Sequence, residues 1–502
     1  MELTVNNNPS ERYFSTEGGR DARVDDTSSY INILTVNPYL FMSHAFEGTG
    51  GFRSGDYLIG HPREMFYNNR KQLSAYRNYV KPVIRALVEP VFVDEAIRIL
   101  TDANGNELPE ESDTLFGTFI EDCDNKDTCL QSFTEDICTT ARLHGVTFAV
   151  MDNFPQNMQP ETTQEAIDNR IMPYVYQRYA YEVESNTVDD FGCITSITFV
   201  EEPVLGPKGE KEPRYRTWTD QYSQVMTKSV EGKLTPVGPQ VTHGLGCLPV
   251  IVVYGTKRRN NSIFVEPPFY DLARLNTVIY NKDSEIRDQE RAQAFSNFYI
   301  QSSESGNFTL GPHNVIILPM ETSITPGFAS PDSSILAGLV ANTKDLVDAL
   351  YQMAEQSGVK GVQSASSGVA IQWDFYSTES QLKKTSYTAS KFEGDLHDLF
   401  VAYTSEDLEY EVKYPEEFQP GDTKGLMTMY KDAMTMTLPT VLKNKVYEKV
   451  ARIVMSDDEP EDVSELLEEM ESELEGTPVQ EEKPIGDTGM VGITGMVNMV
   501  ED

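Results

Sequence analysis

Basic residues are scarce in this chain: 41 Lys and Arg stand against 79 Asp and Glu over 502 residues, a net charge of −38. A protein that grips nucleic acid by its phosphates needs clustered cations. The balance therefore makes the chain a poor candidate for a tight, static DNA binder, but a good one for a surface past which DNA slides. Acidity that merely keeps a large soluble protein apart from its neighbours is the alternative reading. Cysteine is sparse too. Cys123, Cys129, Cys138, Cys193 and Cys247 form no CxxC pair, and their odd number prevents complete pairing within one chain. Reduced, mostly buried thiols in a cytoplasmic setting are expected. Nothing approaches eighteen consecutive apolar residues, so no membrane-spanning helix is expected. The first residues, MELTVNNNPSERYF, are polar and lack an apolar signal region, which points to a soluble protein made in the cytoplasm.

Catalytic patterns are equally thin. No GxxxxGK[ST] is present to cradle phosphates. The six histidines, His44, His61, His144, His243, His313 and His397, show no metal-ligand spacing. Asp102 to Asn106 resembles a calcium loop, but its glycine is misplaced, and a hairpin turn at Asn104-Gly105 explains it better. No nucleophile and base stand out as a pair. The expectation is a protein without catalysis, cofactor or metal.

What is present is enough apolar content, 39% with 10% aromatic, for buried cores. The length calls for two or more structural units. Residues 1–28 are polar and read as a flexible arm. From Pro62 to about Val88, Met65, Leu73, Tyr76, Tyr79, Val83, Ile84 and Leu87 recur at helical spacing. A helical pair is expected within 112–143, then a strand at Val146–Met151. From 172 to 255 the period changes to two, with Tyr, Val, Thr and Ile between turn residues, which predicts an antiparallel sheet region.

The next stretch is the most informative. Pro267 and Pro268 open a helix to about Phe295, with Leu272, Leu275, Ile279 and Ile286 on one stripe. Its second half, NKDSEIRDQERAQ, is almost wholly polar, so the helix needs a partner or copies of itself. A weakly charged insert at 297–330 offers strands at 298–300, 308–310 and 315–318. Pro331 and Asp332 start a second long helix whose Leu336, Val340, Thr343, Val347, Leu350 and Ala354 form a coiled-coil-like seam, ended by Gly358. Residues 359–368 read as a mobile loop. Leu382, Thr385, Ala389, Phe392, Leu396, Leu399 and Tyr403 then mark a third long helix. Shorter helices are expected near 422–435, 440–455 and 460–474. Residues 451–502 carry 16 acids against 2 bases, and the last 25 residues read as disordered.

On these residues the chain resembles the portal proteins of tailed bacteriophages. Tyr57-Leu58-Ile59 with His61-Pro62 and the Tyr67, Arg70, Tyr76, Asn78 series is similar to that family's N-terminal wing. Gly145-Val146 through Asp152, followed by Met172-Pro173-Tyr174, is similar to the strand pair that comes next. Leu248-Pro249-Val250, then Pro268 with Asp271-Leu272-Ala273 and Leu275-Asn276, resembles the lead into the first stem helix. Gly311 with the Val315–Pro319 strand resembles the clip, and Ser367-Gly368-Val369-Ala370 the start of the tunnel helix. The resemblance covers about residues 50–420. It implies an α+β ring subunit in rings of twelve copies, with a wing at 29–265, stem helices at 266–296 and 331–357, and a clip at 297–330. A tunnel loop at 358–369, a tunnel helix at 370–405, a helical crown at 406–475 and an acidic tail at 476–502 would follow.

The resemblance also implies a virion location at one capsid vertex. Its partners would be copies of itself, double-stranded DNA held transiently and without sequence preference, capsid or scaffolding protein, a terminase and a head-tail adaptor. Roles in genome packaging, retention and ejection follow from the same resemblance. Within that frame Val359, Lys360, Val362 and Gln363 are the tunnel-loop candidates for DNA contact. Asp283, Glu290, Asp345, Asp348 and Glu355 are candidate channel acids, with pairing to Arg or Lys of a neighbouring stem as the alternative. Lys257, Arg258, Arg259, Lys383 and Lys384 are possible DNA or partner contacts, against a solvated loop for the first three and pairing with Glu379 or Asp395 for the lysines of the third helix. Two other functions remain open: a soluble oligomeric scaffold that never conducts DNA, and a metal-dependent nuclease using scattered carboxylates.

Overall fold

The computed structural model describes residues 36–418, apart from 62–63, 65–66, 103–104, 109–113, 155–159, 161, 206–210, 230–231, 302–314, 319–324, 330–332, 355–367, 407 and 417. Side chains are not described at 205, 211, 297, 315–317, 333 and 368–377. The chain divides into two units, Met1–Phe418 and Gln419–Asp502, and the description concerns the first. The expected arm, most of the crown and the tail lie outside the described residues.

The described part mixes helix and sheet. Helix α1 (Pro38–Glu47) starts where Asn37 accepts the Tyr39 N–H at 2.9 Å, with Pro38 at the first position, and stops at Gly48 in a left-handed conformation. A short turn, α2 (Gly51–Ser54), follows. The single helix expected from 62 to 88 is instead two, α3 (Tyr67–Leu73) and α4 (Val80–Arg85). The break has a physical cause. Tyr76 OH and the Tyr79 N–H both donate to Asn276 Oδ1, at 2.8 and 3.0 Å, and the Arg77 carbonyl accepts from Asn276 Nδ2 at 2.9 Å. An interhelical side chain takes the backbone groups that a continuous helix would have used.

Strands β1 (Ile97–Asp102) and β2 (Glu107–Leu108) form a hairpin about Gly105, whose φ is +81°. The expected helical pair is α5 (Leu115–Glu121), capped by Thr114, and α6 (Leu130–His144). Strand β3 (Val146–Asp152) then runs through the middle of the body. Its alternation sorts two cores. Val146, Phe148 and Val150 face a core with Val183, Phe199 and Trp218, while Ala149 and Met151 face one with Phe116, Phe119 and Phe400.

Helix α7 (Thr163–Asn169) leads into β4 (Tyr174–Tyr179), and β5 (Val183–Val188), β6 (Ile194–Leu205), β7 (Lys211–Thr219), β8 (Tyr222–Lys228), β9 (Leu234–Pro236), β10 (Val241–Thr242) and β11 (Val250–Tyr254) follow. The antiparallel region expected at 172–255 is thus real, but it is split. β3 sits between β11 and β4 in a three-stranded sheet. The other strands make a sheet of order β10-β8-β7-β6-β5, with β9 also on β8.

Helix α8 (Tyr270–Ala294), strands β12 (Asn297–Gln301), β13 (Val315–Leu318) and β14 (Gly327–Ala329), and helix α9 (Ser333–Met353) follow in the expected order. The candidate strand at 308–310 lies outside the described residues. Helix α10 (Gly368–Thr404) is the third long helix, and Leu382, Thr385, Ala389, Phe392, Leu396 and Leu399 of its expected seam are all buried. The region from 406, expected as the beginning of a crown, opens instead with β15 (Leu408–Lys413), which pairs antiparallel with β1 from Ile97↔Lys413 to Asp102↔Leu408. Its Leu408, Tyr410 and Val412 alternate with charged residues, the pattern of a half-buried strand.

Candidate functional site

The helix pair α8 and α9 with its strand insert is the feature that sets this chain apart from a self-contained globule. At about 1.5 Å per residue the two helices span roughly 37 and 32 Å. Their near ends are fixed in one core: Leu272, Ala273, Ile279 and Tyr280 of α8 meet Leu350 and Ala354 beside Phe41, Phe52 and Ile84. The last residues of α9 therefore lie beside the first turns of α8, and the pair is antiparallel.

A row of polar side chains on α8 locks it to the body. Asn276 holds residues 76–79 as described. Asn281 accepts the Ile59 N–H at 2.8 Å and donates to the Tyr57 carbonyl at 3.0 Å. Ser284 accepts from Arg70 Nη1 at 2.6 Å, and Arg70 also donates to the Ile59 carbonyl and forms a two-pronged pair with Glu64. Arg70 is 7% exposed. None of these contacts is readable from periodicity. The signal that was available is the run of Asn and Ser at positions 276, 281 and 284, spaced to lie along one side of a helix.

This corrects one expectation. The polar stretch from Asn281 to Gln293, expected to need a partner helix or copies of itself, finds part of its packing within the chain, where Asn281, Asp283 and Ser284 are buried. Asp283, a candidate channel acid, lies 3.1 Å from Arg77 Nε and is 5% exposed. Burial pushes its carboxyl upward while Arg77 and Arg287 oppose the rise. It is an anchoring group of the monomer, not an acid open to a channel.

Beyond Ile286 the packing changes. No described side chain from Arg287 to Asn342 is fully buried. Phe295, Phe328, Ile335 and Val340 stand 54%, 69%, 58% and 49% exposed. Val340, placed in the expected seam, faces outward, whereas Thr343, Leu350 and Ala354 of the same seam are buried. In the insert β12 is central, parallel to β13 and antiparallel to β14, so among the described residues both outer strands present open edges. Unpaired edges and exposed apolar side chains at the end of a projecting pair mark a surface for association.

The remaining candidates fall as follows. Glu290 and Asp345 are exposed and Asp348 is half-buried. Glu355, Val359, Lys360, Val362 and Gln363 lie outside the described residues. Lys257 and Arg259 are exposed. Arg258 is half-buried, and its guanidinium donates to the carbonyls of Asn260, Asn261 and Ser262 within its own loop. Lys383 pairs with Glu379 at 2.8 Å. Lys384 is exposed on the next helical position. Among the described residues no group of three His, Cys, Asp or Glu side chains is arranged to hold a metal ion, and no helix is long and apolar enough to cross a membrane.

No protein-family model matches the chain, and no curated protein matches it. Among solved structures, it is similar to a chain in the neck of an empty gene transfer agent particle, at 9% identity and a TM-score of 0.37, over 75% of this chain and 91% of that one. It is also similar to a chain in the virion of a native gene transfer agent particle, again at 9% identity and a TM-score of 0.37, over 83% of this chain and 96% of that one. A likeness of that degree fixes neither fold nor function.

Proposed function

We propose that this chain is a ring-forming structural subunit of a phage-type particle, and more narrowly a portal subunit through which DNA enters and leaves. The observation that carries the reading is the projecting pair α8 and α9 with its insert. It is rigidly anchored at one end and unfinished at the other, where large apolar side chains and strand edges face solvent. Copies set side by side around an axis cover both. Burying the four exposed side chains is worth roughly 1 kcal/mol each for the half that is exposed, or about 4 kcal/mol per neighbour. A ring repeats that gain at every interface, with no free end.

The charge supports a conducting role. Residues 266–357 hold 12 acids and 5 bases, so a channel lined by them offers DNA few places to stick. The resemblance over residues 50–420 adds the narrower parts of the reading: twelve copies, a tunnel loop at 358–369, and docking to a terminase and a head-tail adaptor. A scaffold that never conducts DNA is the second reading, and the exposed apolar end serves it equally well. An axial hole separates the two.

Electron-microscopic class averages of the purified chain, viewed along the particle axis, test the proposal. Closed rings with a hole as wide as duplex DNA are expected. Closed assemblies without a hole would favour the scaffold. A chain that stays monomeric at high concentration, even with its capsid protein present, would overturn both.

A further inference from the structure

A cleft of about 570 Å³ lies between the end of β11 with its following loop, Tyr254–Lys257, and the α10 stretch from Glu379 to Thr388. That volume falls within the range of small-molecule sites. Its lining inverts the charge of the chain. Lys257, Lys383 and Lys384 converge there against a single carboxylate, Glu379, in a protein whose acids outnumber its bases 79 to 41. Lys383 is paired with Glu379. Among the described residues neither Lys257 nor Lys384 has a carboxylate within ion-pair distance. The hydroxyls of Ser380 and Thr388 and the ring of Tyr387, 70% exposed, complete the wall.

The cleft is a built feature. Arg142, 8% exposed, ties its two walls together from behind. The guanidinium reaches the Gly255 carbonyl on the loop side at 3.4 Å. On the helix side it donates to the Gln381 carbonyl at 2.7 Å and to Thr385 Oγ1 at 2.9 Å. Gly255 is pressed so closely on α6 that a Cβ there would lie 1.9 Å from the Ala141 carbonyl oxygen. The hydrogen-bond partners of Arg142, in Gly255, Gln381 and Thr385, are neutral. Buried cations are ordinarily matched by a counter-charge, and among the described residues this one has no carboxylate contact. Its field adds to that of the lysines at the cleft.

We propose that this cleft binds a phosphate-bearing ligand, with the phosphoryl oxygens on Lys257 and Lys384 and a planar group against Tyr387. A phosphate brings the multiple negative oxygens that two ammonium groups and the Ser380 hydroxyl call for, and an exposed tyrosine ring suits a base. The two sources of that chemistry are a free nucleotide and the backbone of a nucleic acid. The inference does not depend on ring formation, since every residue it uses belongs to one chain.

The test is fluorescence anisotropy on the full-length chain, in whatever assembly state it adopts, with labelled short single-stranded and duplex DNA and a labelled ATP analogue. Unlabelled pyrophosphate and citrate serve as competitors. Binding of at least one phosphate probe is expected, with displacement by pyrophosphate and not by citrate at equal charge. The Lys257→Gln/Lys384→Gln variant should weaken it by roughly tenfold or more, and Glu379→Gln, which removes the one acid and releases Lys383, should tighten it. Both lysines are exposed, so folding should be unchanged, as circular dichroism would verify. Lys71→Gln, remote from the cleft, should leave binding intact. Tyr387→Ala should weaken the nucleotide and single-strand probes while sparing pyrophosphate. Failure of every probe to bind, equal binding by the double lysine variant, or equal competition by citrate would overturn the proposal. Microscopy of the same preparations reports ring formation separately, so failure of one reading is distinguishable from failure of the other.

Discussion

Removing the carboxylate of Glu393 should unfasten the body at one point. Glu393 is fully buried on α10. It accepts from Arg98 Nε at 3.1 Å and Nη2 at 3.0 Å on β1, from Thr134 Oγ1 at 3.1 Å on α6, from Tyr410 OH at 2.6 Å on β15, and from Tyr414 OH just beyond it. The side chain of Arg98 is only 6% exposed, so in Glu393→Ala it becomes an unpaired buried cation beside two tyrosine hydroxyls without an acceptor. Breaking a buried pair from one side costs about 3–5 kcal/mol. In a unit as long as Met1–Phe418, with an unfolding entropy of about 2.1 cal/mol/K per residue, each kcal/mol lowers the melting temperature by roughly 1 °C, so a fall on the order of 5 °C is expected. The assay is urea unfolding followed by circular dichroism, with thermal melting alongside. Glu393→Leu combined with Arg98→Met should recover part of the loss, because it removes both charges and fills the space while the hydroxyls of Thr134, Tyr410 and Tyr414 still lack their acceptor. A loss below about 1 kcal/mol in Glu393→Ala, or a double variant no better than the single one, would refute the account.

Three further outcomes are expected. His144 is buried with Nε2 at 2.9 Å from Ser43 Oγ, and burial holds its pKa down at about 3. The unfolded chain therefore binds a proton near pH 6.5 that the folded one refuses. This stability is complete above about pH 6.5 and falls by about 1.4 kcal/mol per unit as the pH drops towards 3. Urea midpoints measured across that window should flatten in His144→Gln. Phe328→Ser with Ile335→Ser should weaken self-association, read by light scattering, with less than about 0.5 kcal/mol change in the stability of the dissociated chain, since both side chains are exposed. Gly255→Ala places a methyl against the Ala141 backbone, which has no freedom to yield, and a loss above about 3 kcal/mol is expected from urea unfolding.

The long amphipathic elements were legible because their signal is local. The seam from Leu382 to Leu399 spaces its apolar residues by three and four, and that is a property of neighbouring positions. The order of α8, insert and α9 was readable for the same reason. The interruption between α3 and α4 was not, because its cause is a side chain about 200 residues away, Asn276, that competes for the backbone of residues 76–79. The return of β15 to β1 was hidden similarly. The alternation of Leu408, Tyr410 and Val412 is visible, but a six-residue strand carries no mark of its distant partner. Asp283 was misread because acidity along a helix suggests solvent, and only the position of Arg77 shows otherwise. The lysine cleft was half legible. Its members were noted singly, whereas their convergence depends on Arg142 holding a loop and a helix together.

The pairing of β15 with β1 also has a consequence in time. Their partners are separated by roughly 300 residues, and at about 5–20 residues per second a ribosome needs some 15–60 s to supply the second strand after the first. During that interval Phe116, Phe119 and Phe133 lack Phe392, Leu396 and Phe400, which complete their core from α10. The projecting pair and its insert emerge before the body behind them can close. A nascent chain thus displays its association surface while its own centre is still open, and crowded synthesis on one message would bring unfinished copies within reach of each other. Slowing translation before residue 368, or raising the local density of ribosomes, should therefore change the yield of correctly assembled protein more than it changes the stability of the finished fold.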